Sequence, residues 1–187
     1  DMPGVYNLSF SVEDIVEQVS VKTPYNVNLL VMGTVKSAGA GCMCPANTVI
    51  RALLHHLLVK RKEAVITDME AGVEHMGRGT AEHVETMLIV TDSSLKALET
   101  AKKLYGLARQ IGIKESFILG NKVASQREGE LIEQFANQSN IPLLGMVPFD
   151  EKVSEADRHG ESPLKNASQS IGVTAIHKLG EKLQENK

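Results

Sequence analysis

Five short apolar runs, separated by polar and glycine-rich stretches, set the pattern of this chain. Each run is four to six residues long and consists mostly of aliphatic side chains. Runs of this length are typical of strands that are buried in a parallel sheet. The five runs are Val27–Met32, Ala64–Thr67, Met87–Val90, Ser116–Leu119 and Leu143–Val147.

Helical patterns alternate with these runs. Apolar residues recur at helical spacing from Ser94 to Gln110, and they predict an amphipathic helix over that range. A charged helix is expected from Glu128 to Gln138, and a terminal helix from Ser168 to Glu185. Pro24 and Asn26 are expected to turn the chain ahead of the first run. Strands that alternate with helices predict an α/β fold of three layers, with a mainly parallel sheet between helices.

Polar residues follow three of the predicted strands, at the edge where α/β sheets bind ligands. Asp68 follows the second run, and an acid there could orient a water molecule on Mg²⁺ near a terminal phosphate. It could equally be an exposed carboxylate at a strand end. Both interpretations fit this position.

Two further strand ends carry side chains that could recognise a base. The amide of Asn121 could read a purine edge while the stem of Lys122 covers the ring, although asparagine is also common in turns. Pro148, Phe149 and Asp150 could shape the same pocket or simply end their strand. The argument for a site comes from all these residues lying at consecutive strand ends.

Cys42 and Cys44 lie in a glycine-rich loop directly before Pro45, a residue suited to the first turn of a helix. Thiolates two positions apart could share a soft metal ion, whereas a disulfide between them would be strained. Buried cysteines that act as small apolar residues are the alternative. Tetrahedral sites take four ligands, so His55 and His56, or the same cysteines of a second subunit, would have to complete one. The histidines lie too far along the helix, so a symmetric dimer is the better geometric solution.

Composition limits the remaining possibilities. The chain has 187 residues, 42% hydrophobic and 23% charged, with a net charge of −3, as expected for one soluble globular domain. No basic cluster predicts nucleic-acid binding, and no apolar stretch is long enough to predict a membrane helix. Two closely spaced free thiols fit the reducing cytoplasm.

A phosphate-binding loop of the Gly-x-x-x-x-Gly-Lys-Ser/Thr type does not occur in this sequence. Gly33 to Gly41 is glycine-rich but has no suitably placed lysine. ATP hydrolysis therefore cannot be argued from the residues alone.

Several segments together resemble one family, the CooC-type nickel-insertion ATPases that mature carbon monoxide dehydrogenase. These proteins belong to the MinD-like P-loop NTPases and are related to the nitrogenase iron protein. The resemblance covers about residues 27 to 150 and rests on the following segments: Leu30–Thr34, Gly41–Pro45, Arg51–Leu54, Asp68–His75, Gly77–Thr80 and Gly120–Lys122.

The resemblance implies an ATP-dependent homodimer that binds Ni²⁺, or Zn²⁺ in its place, through Cys42 and Cys44 of both subunits. Asp68 would lie near Mg²⁺ and the γ-phosphate. Asn121 and Lys122 would read adenine, and Pro148 with Phe149 would form the nearby base-pocket loop. The client would be carbon monoxide dehydrogenase.

The family also has an N-terminal strand and a phosphate loop that match nothing in residues 1–187. We therefore expect that Asp1 lies inside a longer natural protein. Two other functions fit the same residues: an iron–sulfur cluster carrier or redox ATPase resembling the nitrogenase iron protein, and a dimerising scaffold without catalysis.

Overall fold

A computed structural model describes residues 20–31, 64–69 and 84–185. By its internal contacts the chain divides into two compact units, Asp1–Asp68 and Met69–Lys187. Within the three described ranges, none of the helices is both long and apolar enough to cross a membrane. The expectation of one domain over residues 1–187 stays a prediction.

The first unit contains a short antiparallel hairpin of β1 (Val21–Lys22) and β2 (Asn28–Leu29). The turn between them is closed by a hydrogen bond of 2.9 Å from the Thr23 N–H to the carbonyl oxygen of Val27. Asn26 takes the left-handed conformation in this turn, with φ of 58°. The turn expected around Asn26 is therefore confirmed.

The prediction of a buried parallel strand over Val27–Met32 is wrong for the part that the structure describes. Val27 and Val31 are exposed, as are both residues of β2. A tight turn supplies an antiparallel partner within a few residues, whereas a parallel partner requires a long crossover. The local turn therefore decides how β2 pairs.

The prediction of a short buried strand over Ala64–Thr67 is also wrong. These residues form no strand, and the side chain of Ile66 is 93% exposed. β-branched composition favours a strand only where a neighbouring strand supplies a ladder. Among the described residues, no such partner pairs with this segment.

The second unit contains a parallel three-stranded sheet of β3 (Thr86–Thr91), β4 (Glu115–Val123) and β5 (Leu143–Pro148), in that order. Its described helices are α1 (Leu95–Gln110), α2 (Gln126–Ser139), α3 (Glu151–Arg158), α4 (Pro163–Asn166) and α5 (Ile171–Glu185). The three predicted strands and three predicted helices of this unit are confirmed. Helices α3 and α4 were not predicted.

Helices cover both faces of the sheet. Leu98 of α1 and Ile132 of α2 pack with Ile118 of β4 in one apolar cluster. Leu179 of α5 packs with Leu144 in a cluster that includes Phe117 and Leu119, which point to the opposite face of β4. Right-handed crossovers between consecutive strands place α1 and α2 on the same side. The predicted α/β fold with helices on both faces is confirmed.

Serine caps begin the two crossover helices. The Ser94 hydroxyl accepts from the Ala97 N–H at 3.4 Å, and the Ser125 hydroxyl accepts from the Glu128 N–H at 3.3 Å. Each cap satisfies a donor that a helix N-terminus would leave unpaired. Because the caps follow the strand ends closely, the connections there are short and their residues stay near the sheet edge.

Candidate functional site

The carboxyl ends of β4 and β5 carry four residues that were predicted to form a base pocket. Asn121 and Lys122 directly precede Val123, the last residue of β4, and Pro148 is the last residue of β5. Val123 and Pro148 are ladder partners, and the Phe149 N–H donates to the Val123 carbonyl oxygen over 2.9 Å. The structure therefore brings both predicted pairs to the same edge of the sheet.

Two of these side chains are open to solvent. Phe149 is 42% exposed, which is unusual for a large aromatic side chain, and Lys122 is exposed as well, while Asn121 and Pro148 are half-buried. An aromatic face and a long aliphatic stem at a strand end could cover a flat ring. The half-buried amide of Asn121 could then supply hydrogen bonds to the edge of that ring.

A bulge in β4 sets the position of Asn121 and Lys122. From Gly120 to Val123 the chain advances three residues, while the paired segment of β5 advances two, from Met146 to Pro148. Lys122 adopts the left-handed conformation, with φ of 55°. That conformation costs a residue with a β-carbon about 1–2 kcal/mol. Bulges occur often beside binding sites, where they redirect a side chain.

A second irregularity upstream compensates for this bulge. Between Ile118 and Leu119 of β4 the chain advances one residue, while β5 advances two, from Leu143 to Gly145. The additional residue of β5 is Leu144, whose carbonyl oxygen accepts from the Lys182 ammonium group at 3.3 Å. The two strands therefore leave their first register for a short stretch and return to it at the strand ends.

Glycines occupy this shifted stretch in both strands, and a helix approaches each of them closely. A β-carbon on Gly120 would lie 3.0 Å from the Ile132 side chain of α2, and one on Gly145 would lie 2.6 Å from the Leu179 side chain of α5. Both distances are too short for an unadjusted carbon–carbon contact. The two helix layers thus hold the shifted stretch from opposite faces.

Asp150 joins the end of β5 to two helices. Its Oδ1 accepts from the Lys152 N–H at 3.0 Å in the first turn of α3, and its Oδ2 accepts from the Gly172 N–H at 2.8 Å in the first turn of α5. The residue is buried, at 9% exposure. One carboxylate therefore caps two helix N-termini, both of which favour negative charge.

The surroundings of Asp150 lower its pKa below the ordinary value. The Ser170 hydroxyl contributes most to this change, and the Gly172 N–H contributes next, while burial acts in the opposite direction. The Ser170 oxygen is buried and makes no formed hydrogen bond with a described residue. The Gly172 contact, by contrast, is a formed hydrogen bond of 2.8 Å.

Asp68, the predicted switch acid, belongs to the first unit. It is exposed and ends an irregular segment instead of a strand. Residues 70–83 lie outside the described residues, and the predicted place of Asp68 near Mg²⁺ and the γ-phosphate stays a prediction.

Cys42 and Cys44 also lie outside the described residues, as do His55 and His56. In the ranges that are described, histidine and acidic side chains form no group of three or more that could hold a metal ion. The predicted metal site therefore depends on the sequence alone.

A groove of about 450 Å³ lies at the other end of β4, away from the predicted base-pocket residues. It is lined by Tyr105, Arg109, Gly112, Ile113, Lys114 and Ser116. Ligands of parallel α/β sheets bind at the carboxyl ends of the strands, so this groove is at the wrong edge for the predicted site.

Sequence reasoning missed two features of the site. The capping role of Asp150 had a local signal, because an aspartate before Glu151 is typical of a helix start. Its second partner, Gly172, is distant in sequence and had no such signal. The bulge at Lys122 had none either, since lysine is not a residue that favours positive φ.

Comparison with known proteins places the chain in a family. The CobQ/CobB/MinD/ParA nucleotide binding domain matches residues 4–164. An uncharacterised ATP-binding protein of Methanocaldococcus jannaschii is 42% identical over 85% of this chain and 63% of its own length. The carbon monoxide dehydrogenase accessory protein CooC of Rhodospirillum rubrum is 46% identical over 81% of this chain and 56% of its own length.

Solved structures show the same fold. The septum site-determining protein MinD of Pyrococcus horikoshii, complexed with Mg-ADP, aligns with a TM-score of 0.69 at 20% identity, over 96% of this chain and 75% of that protein. The present chain spans about three fifths of the length of the curated relatives named above. The family match covers most of the 187 residues, and the fold agrees with it. The chain belongs to the family of CobQ/CobB/MinD/ParA nucleotide-binding domains, the MinD-like P-loop NTPases.

Proposed function

We propose that this chain is part of an ATP-dependent nickel metallochaperone that serves the maturation of carbon monoxide dehydrogenase. The observation that carries the proposal is the 46% identity to the R. rubrum accessory protein over 81% of the chain. The Cys-x-Cys-Pro loop and the Asp68–Gly72 segment of the present chain occur in the order expected of that family. Cytoplasmic location is part of the proposal, because free thiols persist in a reducing compartment.

In this proposal the metal is cargo held between two copies of the chain. Cys42 and Cys44 of each subunit supply thiolates to one Ni²⁺ ion, and Zn²⁺ can take the same place. Two thiolates from each copy complete the four ligands that a tetrahedral site requires. Because thiols must lose their protons to bind metal, affinity should fall as pH falls.

The nucleotide site of the proposal uses the carboxyl ends of the strands. ATP or ADP would place its base against Phe149 and Pro148, with Asn121 at the base edge and the Lys122 stem over the ring. The support is the ladder that joins the ends of β4 and β5, and the exposure of Phe149. Mg²⁺, with Asp68 nearby, would neutralise phosphate charge.

A titration of the reduced chain with Ni²⁺ tests the metal part. We expect one Ni²⁺ per two chains and a shift from monomer to dimer in sedimentation. The Cys42→Ala and Cys44→Ala variants should lose both. The matched control is His177→Ala, which removes an exposed histidine of α5 and should change neither.

Two results would contradict this proposal. If Cys42→Ala still binds one Ni²⁺ per two chains, the assignment of Cys42 as a metal ligand is wrong. A coloured, iron-containing dimer after anaerobic purification would instead identify an iron–sulfur carrier on the same thiolates.

A further inference from the structure

The loop after β5 is held by Asp150, a residue that the proposed nucleotide site does not use. Phe149 lies between Pro148, the last residue of β5, and Asp150, the cap of α3. Its N–H donates to the Val123 carbonyl oxygen, and its neighbour Asp150 binds α3 and α5 through separate oxygens. The loop is therefore fixed on one side by β4 and on the other by two helix N-termini.

The contact with α5 is close as well as polar. A β-carbon on Gly172 would lie 3.0 Å from the Asp150 Cβ and 3.1 Å from its Oδ2. The N-terminus of α5 can approach the carboxylate in this way because residue 172 has no side chain. Both partners are buried, so water cannot readily replace the bond.

We infer that Asp150 is a positioning residue for the base-pocket loop, holding Pro148 and Phe149 in place by capping α3 and α5 together. This inference rests on the proposed function for its ligand. Asp150 itself contacts no ligand in this assignment. Because its two oxygens serve different helices, losing either bond releases one side of the loop, and losing both releases it from the helices altogether.

Amide hydrogen exchange in the full chain tests the inference without a ligand. In Asp150→Ala we expect exchange at the Gly172 and Phe149 amides to become about tenfold faster, the size expected for a lost helix cap. Asp150→Asn should have a smaller effect, because its amide oxygen can still accept one bond. It also serves as the second variant if Asp150→Ala does not fold.

Ser94→Ala is the matched control, because Ser94 caps only α1. It should speed exchange at the Ala97 amide and leave Phe149 unchanged once any loss of global stability is subtracted. Unchanged exchange at Phe149 in both Asp150 variants would overturn the inference, because loop position would then not depend on the carboxylate.

A second measurement links the loop to the nucleotide and separates the two proposals. We expect the Kd of ADP to rise five- to tenfold in Asp150→Ala, while the Kd of pyrophosphate, which has no base, stays the same. Faster exchange with unchanged ADP binding would overturn the positioning role and leave the proposed function standing. If the unaltered chain binds no ADP, the exchange data alone decide whether Asp150 holds the loop.

Discussion

The β3–β4 and β4–β5 ladders share a strand and yet are built differently. From Thr86–Glu115 to Thr91–Gly120 the first ladder pairs six residues in succession. The second has four partner pairs and two shifts of register. One shift is the additional residue of β5 at Leu144, and the other is the bulge at Asn121–Lys122 of β4, which lies beyond the last residue that β3 pairs. The irregular ladder includes both Gly120 and Gly145, which the helices approach closely, and it ends at the predicted base-pocket residues.

The comparison teaches that regular pairing and ligand placement are separate demands on this sheet. A continuous ladder gains its stability from unbroken hydrogen bonds and cross-strand contacts. A bulge interrupts that pattern and redirects side chains at the strand end. The following four changes test how far the two ladders differ, from the largest expected effect to the smallest.

Ile118→Ala should disturb both ladders at once. Ile118 is fully buried and is paired with Ile89 and with Leu143. We expect the free energy of unfolding to fall by about 2–5 kcal/mol, as for other large-to-small core changes. Urea denaturation measures this, with Leu95→Ala as the control, because Leu95 is 73% exposed. Similar losses in both variants would contradict the packing described for the sheet.

Gly145→Ala should affect the irregular ladder alone. The new β-carbon would lie 2.6 Å from the Leu179 side chain, and overpacking of this kind costs about 1–3 kcal/mol. Combined with Leu179→Ala, the same change should cost less than it does alone, because the obstructing atoms are gone. A double-mutant cycle by denaturation measures this coupling. Strict additivity would show that α5 is not the element in the way.

Lys122→Gly should separate backbone strain from side-chain function. Glycine accepts positive φ without the strain of about 1–2 kcal/mol, but it loses about 0.5–1 kcal/mol more conformational entropy on folding. We therefore expect a gain in unfolding free energy of up to about 1 kcal/mol. Lys122→Ala keeps the strain and should show no such gain. Under the proposed function both variants lose the stem over the base, so both should bind ADP more weakly. A loss of stability in the glycine variant would mean that the left-handed backbone is not strained here.

Acid should remove the stabilising effect of Asp150. Its pKa is lowered in the folded chain, chiefly by Ser170 and then by Gly172, so the folded state binds this proton less readily than the unfolded state. The stabilisation is therefore complete above the unfolded pKa of about 3.9 and is lost as pH falls through the lower folded pKa. The difference in stability between the unaltered chain and Asp150→Asn should be constant near neutral pH and shrink below about pH 4. A difference that grows in acid would reverse the assigned sign.

Much of the second unit could be predicted from sequence because its signals are local. The apolar stripe of α1 and the cap at Ser94 each involve residues a few positions apart. The first unit was predicted less well, since Val27–Met32 looked like a buried strand while the turn at Asn26 gave β2 an antiparallel neighbour. Composition alone does not identify a strand's partner.

The residues of the candidate site could be predicted from the sequence, but the register shift and the joint helix cap that position them could not. Asn121 and Phe149 follow predicted strands, and the sheet does bring their segments together. Tertiary packing decides which residue of β5 pairs with each residue of β4. The shifts in register between these strands could therefore not be predicted from a local sequence pattern. The joint capping by Asp150 spans 22 positions in sequence, beyond the reach of any local pattern.

The paired irregularities also constrain how such a sheet can change over evolution. A deletion at Asn121–Lys122 alone would leave the exit of β5 one step out of phase with its neighbour, and side chains that now point inward there would point outward. A deletion at Leu144 alone would shift the exit of β5 by one residue in the opposite direction. Loss of one residue from each strand would restore agreement, so we expect related sequences to gain or lose these two positions together.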